Sequence, residues 1–325
     1  MCTAITFKNK TSYFGRNMDI GYYFGERVVI IPRNFTLKLK KEEQIKQHYA
    51  IIGMASVFAN TPLFAEGINE QGLGVAGLNF PRYAHYNENS ISECINLAPY
   101  EIITYILAKC ATVDEAVSYL EKINLVAIPF QEGLPLPTLH WMIADKERSI
   151  VFEVTKNGAK IHENPVGVMT NNPTFDFHIT NLSNYIQLTP YEYEETVFSN
   201  FAIKPLGHGS GSLGIPGDST TTSRFVRAVF VKSTSKCEAS ESANLSQFFH
   251  ILGSVSVPRG FACGADEISD YTTYSSCANL NDGIYYYKTY ENSQITAVNL
   301  YAIDLDGTEL VEYPLITSQQ ILSQN

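Results

Sequence analysis

The first twenty residues, MCTAITFKNKTSYFGRNMDI, alternate apolar and polar side chains on either side of the turn-forming Asn-Lys-Thr. That period predicts two antiparallel strands joined by a hairpin, so the chain starts inside a sheet. The returning strand brings Arg16 back beside residue 2, with Asp19 close by. Cys2 therefore stands at the start of a strand within a sheet, with a cation and a carboxylate as candidate neighbours.

The same reading extends along the chain. RVVIIP and AIIGMASVF read as strands, and AEGINEQGLGVAGLNF as a hairpin turning at NEQG. PYEIITYILAKC has helical period, and the capping pair Thr112 and Glu115 opens a second helix along Val113, Ala116, Val117, Leu120 and Ile123. LHWMIAD and SIVFEVT are strands across the polar turn KER, and KIHENPVGVMTN continues the β region. SRFVRAVFVKS and NLSQFFHILGSV read as helices, DYTTYSSCANL and GIYYYKTY as strands flanking an Asp-Gly turn, and QITAVNL as a further strand. Strands and helices come in blocks, without the strict alternation of a parallel doubly wound sheet, which predicts an α+β protein with antiparallel sheets and helices outside. No Pro, Ser or Gly linker divides residues 1–325, so a single domain is expected.

Composition narrows the function classes. With 45% hydrophobic and 17% charged residues the chain is globular in character, and its net charge of -10 repels polyanions, which argues against nucleic acid as a partner. No basic segment with an apolar run opens the chain, and stretches such as AIIGMASVFA fall short of a membrane span. A soluble cytoplasmic protein with no membrane partner is expected. The six cysteines are scattered, with no Cys-x-x-Cys and no His pair at metal spacing, so no metal site is predicted. GSGSLG at 209–214 fits a dinucleotide fingerprint by letter, but no strand leads into it, and it reads as a glycine-rich loop.

Cys2 carries its own chemistry. Initiator methionine is normally removed before a small residue, which would leave Cys2 with a free α-amino group beside its thiol. Thiols react as thiolates, a form that a nearby cation such as Arg16 favours. An α-amine has an ordinary pKa near 8, suited to accepting a proton at neutral pH, and Asp19 is placed to hold it.

Taken together, MCTAITF, YFGRNMD, NEQGLGVAGLNFP, LHWMIADKERSIVFE, GVMTNNPTFDFH, GIPGDSTTTSRFVR, QFFHILGSV and YYYKTYENSQI resemble the choloylglycine hydrolase family, in the same order from residue 2 to about residue 300. That family holds bile salt hydrolases and penicillin V acylases. The resemblance implies the αββα sandwich of the N-terminal nucleophile hydrolases, two antiparallel sheets flanked by helices, with Met1 removed. It implies amide hydrolysis with Cys2 as nucleophile and its own amine as proton acceptor, Arg16 and Asp19 bracketing them, and Arg224 steadying the local charges. Asn171 would donate its side-chain amide to the oxyanion, with Asn79 completing that hole. No metal or organic cofactor is implied. Met18, Phe24, Phe58, Ile128 and Phe130 fall in segments that line the family's pocket. Asparagine at position 79, where penicillin V acylases often carry tyrosine, favours conjugated bile salts as substrate. Penicillin V acylase is the alternative, and a non-enzymatic binder of apolar ligands is the rival from another class. A homotetramer is implied by the family alone.

Overall fold

Every residue from Ser12 to Asp19 is buried, although Arg16, Asn17 and Asp19 are among them. A strand covered on both faces belongs in the middle of a layered molecule, and polar residues there require partners. A computed structural model describes residues 1–264 and 267–325 of the chain.

The chain opens with the expected hairpin of β1 (Cys2–Asn9) and β2 (Thr11–Ile20), followed by β3 (Arg27–Ile31), β4 (Ile51–Phe58), β5 (Thr61–Asn69) and β6 (Gly74–Asn79). Next come β7 (Ile95–Leu97), α1 (Ile102–Lys109), α2 (Val113–Leu120) and β8 (Ile123–Leu125), the two short strands pairing in parallel. Four strands follow: β9 (Leu139–Ala144), β10 (Ser149–Thr155), β11 (Gly158–Glu163) and β12 (Val168–Met169). After them lie α3 (Phe175–Asn181), the hairpin of β13 (Thr196–Phe198) and β14 (Phe201–Ile203), α4 (Thr221–Thr234) and α5 (Glu241–Gly253). The chain ends with β15 (Ala262–Cys263), β16 (Ser269–Asn279), β17 (Ile284–Thr289), β18 (Thr296–Asn299) and β19 (Val311–Pro314).

Two large antiparallel sheets result. One runs β12-β1-β2-β16-β17-β18, with β15 added to β16, and the other runs β11-β10-β9-β6-β5-β4-β3-β19. Between them lies a core that includes Ile5, Phe14, Ile52, Met54, Ile68, Leu78 and Met142, and this core continues under α4 and α5. A second core joins the outer face of the eight-stranded sheet to α1 and α2, through Val75, Trp141, Phe152, Ile103, Ile106 and Leu120. The layer order is thus helices, sheet, sheet, helices, the α+β sandwich that the resemblance implies. Among the described residues no helix is long and apolar enough to cross a membrane.

Local chemistry follows the sequence at several joints. Thr112 accepts the Glu115 N–H at 3.2 Å, and the Glu115 carboxylate returns to the Ala111 N–H at 2.7 Å, one residue before the position that a capping box would bond. At Gly15 a Cβ would stand 2.1 Å from the Ser276 carbonyl oxygen, so β2 and β16 approach closely only because that position has no side chain. GSGSLG forms a loop with one short 3-10 turn, Ser210–Ser212, and Gly209 takes a positive φ of 91°.

Candidate active site

The hairpin register sets the first contacts. Cys2 pairs with Met18 and Ala4 with Arg16, which places Cys2, Met18 and Arg16 on one face of the sheet. Cys2 is buried, with Sγ 3.9 Å from Met18 Sδ, and Arg16 Nη2 lies 3.5 Å from the same sulfur. Met18, expected as pocket wall, is therefore buried and in contact with both the thiol and the guanidinium. Arg16 also donates to the main-chain carbonyls of Gly77 at 2.6 Å and Ala65 at 3.3 Å, which ties β2 across the sandwich to β6 and β5.

Two buried ion pairs flank the thiol. Arg16 Nε stands 3.8 Å from Glu66 Oε2, and Glu66 accepts hydroxyl hydrogen bonds from Tyr274 at 2.8 Å and Tyr285 at 2.5 Å. Arg224 Nη1 stands 3.9 Å from Asp19 Oδ2 and donates to the Cys2 carbonyl and, at 2.7 Å, to Thr3 Oγ1. Thr272 donates to Asp19 Oδ1 at 2.6 Å, whereas Oδ2 is buried with no hydrogen-bond partner among the described residues. Burial pushes the Asp19 carboxyl upward against the pull of Arg224 and Thr272, and pushes Glu66 upward against Arg16 and the tyrosines. The Arg224 guanidinium is driven down by burial and supported by Asp19.

Asn171 links these groups to the backbone of residue 2. Its Oδ1 accepts the Cys2 N–H and one Arg224 N–H, both at 2.8 Å, while Nδ2 donates to the Asn79 main-chain carbonyl at 2.7 Å. Two donors on one end and a carbonyl on the other leave a single amide orientation. The expected role put an amide N–H on an oxyanion; here one Nδ2 hydrogen is held by Asn79, and the oxygen is what meets Cys2. Asn79 itself is exposed, its Oδ1 accepts from Thr138 Oγ1 at 2.8 Å, and among the described residues no protein acceptor takes its Nδ2. Met1 is present and prolongs β1: its amine donates to the Asp19 carbonyl at 2.6 Å, and its carbonyl accepts from the Asp19 N–H at 3.0 Å.

The remaining wall residues divide. Phe58 and Phe130 meet with ring centroids 5.7 Å apart and, with Tyr100, Leu37 and Leu63, line a cavity of about 560 Å3. Met18, Phe24 and Ile128 are not part of that lining. Phe24 packs against the inter-sheet core, and its carbonyl accepts from Ser56 at 2.8 Å. Ile128 is half-buried.

Several groups around the site escaped the sequence reading. Glu66 sits among apolar neighbours in LFAEGIN, and a lone carboxylate in such a strand is the one signal that pointed to a buried partner. His178 Nε2 donates to the Asn171 carbonyl at 2.8 Å, while its Nδ1 is buried without a hydrogen-bond partner among the described residues. Burial lowers the His178 pKa from 6.5 to about 4. A histidine depressed in the folded state takes its proton more readily when unfolded, so its contribution is complete above 6.5 and is lost as pH falls through 4. That shift corresponds to roughly 3 kcal/mol. His178→Gln, which keeps a donor for Asn171 but does not titrate, should flatten the fall in stability between pH 6.5 and 4 by that order, read by chemical denaturation against the parent. An identical pH slope in both proteins would contradict the assignment.

The linear amide C–N hydrolases of the choloylglycine hydrolase family match residues 2–313. A bile salt hydrolase/transferase from Lactiplantibacillus plantarum is 45% identical over 325 residues, covering all of both chains. The crystal structure of a conjugated bile acid hydrolase from Clostridium perfringens superposes with a TM-score of 0.94 at 40% identity, again over the whole of both chains. The penicillin V acylase of Agrobacterium tumefaciens shares the fold, with a TM-score of 0.76 at 21% identity over 97% of this chain and 92% of that one. With a buried cysteine at the head of a central strand and this likeness along its full length, the chain belongs to the choloylglycine hydrolase family and is a hydrolase of linear amide C–N bonds.

Proposed function

We propose that this hydrolase cleaves the amide of glycine- or taurine-conjugated bile acids, through a thioester on Cys2 formed once Met1 has been removed. The observation that carries the mechanism is the hydrogen bond from Cys2 N to Asn171 Oδ1. With Met1 gone, that nitrogen is an α-amine, still held by Asn171, on the residue that bears the thiol. The amine takes the thiol proton, Sγ attacks the amide carbonyl, and the C–N bond breaks as the amine passes the proton to the leaving nitrogen. Water, deprotonated by the same amine, then releases the bile acid and restores the thiol. The Asn79 Nδ2 and the second Asn171 Nδ2 hydrogen are the donors for the tetrahedral oxyanion.

The bile acid reading rests on the two relatives named above and on Asn79. Of the apolar side chains read as pocket wall, Met18 stands beside the thiol, whereas the Phe58–Phe130 pair lines a separate cavity of a size and apolar character suited to a steroid face. A homotetramer in the cytoplasm is part of the same reading. The β13-β14 hairpin supports assembly, because Val197, Phe198 and Phe201 are 59%, 67% and 71% exposed, an apolar patch of the kind that a second copy covers. Light scattering at four chain masses is expected, and a monomer at all concentrations would contradict it.

Release of glycine and taurine from glycocholate and taurocholate should exceed hydrolysis of penicillin V. Cys2→Ser should lower kcat by about 1,000-fold or more without loss of fold, because an alcohol ionises far less readily than a thiol. A preference for penicillin V would overturn the substrate, and parental turnover in the serine variant would overturn the nucleophile.

A further inference from the structure

Both asparagine donors trace to one buried histidine that the reaction does not touch. His140, 1% exposed on β9, directs Nε2 to the Thr170 carbonyl at 3.0 Å, immediately before Asn171. Its ring also stacks on Phe80, immediately after Asn79, with centroids 4.2 Å apart and planes 7° apart. Its other nitrogen, Nδ1, stands 3.1 Å from Glu153 Oε1 on the neighbouring strand β10. Glu153 in turn accepts the Phe175 N–H at 3.1 and 3.2 Å, fixing the far end of the segment that holds Asn171. Both ring nitrogens are thus taken up by protein partners, so neither is open to the reacting groups. The His140 hydrogen bond and the His162 ring, with Nε2 3.5 Å from Oε2, outweigh burial and lower the Glu153 pKa to about 2.

We propose that His140, braced by Glu153, is a positioning residue that sets Asn171 and Asn79 at a common distance from the reacting carbonyl. The proposal rests on the reading of both asparagines as oxyanion donors. Asn79 ends β6 opposite Leu139 and Asn171 lies beyond the end of β12, so strand pairing does not join them, and their one direct tie is the 2.7 Å bond from Asn171 Nδ2 to the Asn79 carbonyl. His140 contacts the residue next to each, and this is the shared support that a two-donor oxyanion hole requires.

Two variants with the same side-chain chemistry separate positioning from folding. A glutamine amide reaches the place of Nε2 and can donate to the Thr170 carbonyl, whereas an asparagine amide reaches only the place of Nδ1. His140→Asn should therefore lose about 30-fold in kcat with KM within about threefold, and His140→Gln should recover most of that loss. Alkylation of Cys2 by iodoacetamide, which needs no oxyanion donor, should proceed at the parental rate in both. Adding His140→Asn to Asn171→Ala should cost little further, since both act on one hole. Equal losses in the two variants, alkylation that slows in step with kcat, or fully multiplicative effects in the double variant would each overturn the proposal. Rates are taken on whichever amide the parent cleaves, so failure on bile salts would refute the substrate and leave the His140 comparison readable.

Discussion

Two buried ion pairs on either side of Cys2 are the constraint to which the rest of the molecule answers. Arg16, Arg224, Asp19 and Glu66 are each no more than 1% exposed, and their formal charges cancel. Burying a single charge costs several kcal/mol, and deleting one partner of a buried pair typically destabilises by about 3–5 kcal/mol. Such a group is tolerated only where each charge has further polar partners, and these come from Tyr274, Tyr285, Thr272, Thr3, Asn171 and several main-chain carbonyls. The partners lie on β1, β2, β16, β17, β6 and the segment after β12, which explains why the thiol stands where the two sheets meet. The sandwich seals the charges from water, and the charges in turn fix the register of the central strands.

Much of this architecture was legible in the sequence because it rests on short-range pattern. The opening hairpin is local, so alternation around one turn placed Arg16 on the face of Cys2, and the block order of strands and helices led to antiparallel sheets. The β13-β14 hairpin was not legible: its strands have three residues each, their apolar side chains face outward, and no alternation marks them. For α3, seven residues including Thr180 and Asn181 present too weak a helical period. The charge partners were hidden for a different reason. Glu66 lies 50 residues from Arg16, and Tyr274 and Tyr285 lie more than 200 residues from Glu66, so only the sheet order joins them.

The site divides its labour in a way that the sequence also concealed. Asn171 was legible as an amide near the nucleophile, but the end of it that meets Cys2 depends on Arg224 and Asn79, both remote in the chain. With Met1 attached, the nitrogen that Asn171 holds is a peptide N–H, and Asp19 exchanges two main-chain hydrogen bonds with Met1. Removal of that one residue would turn the nitrogen into an amine and release the two Asp19 hydrogen bonds. On the proposed mechanism the fold builds the site first, and cleavage of a single peptide bond supplies its chemistry.

The central claim is therefore that activity begins at a free Cys2 amine. The most direct measurement compares two preparations of the same chain, one with an N-terminal extension that cannot be removed and one whose extension is cleaved to leave Cys2 first, each checked by intact mass and assayed on glycocholate and taurocholate. The extended form should be inactive, because a peptide nitrogen accepts no proton near pH 7, and turnover should appear in proportion to the fraction cleaved. Full turnover in a preparation whose mass shows Met1 still attached would contradict the account.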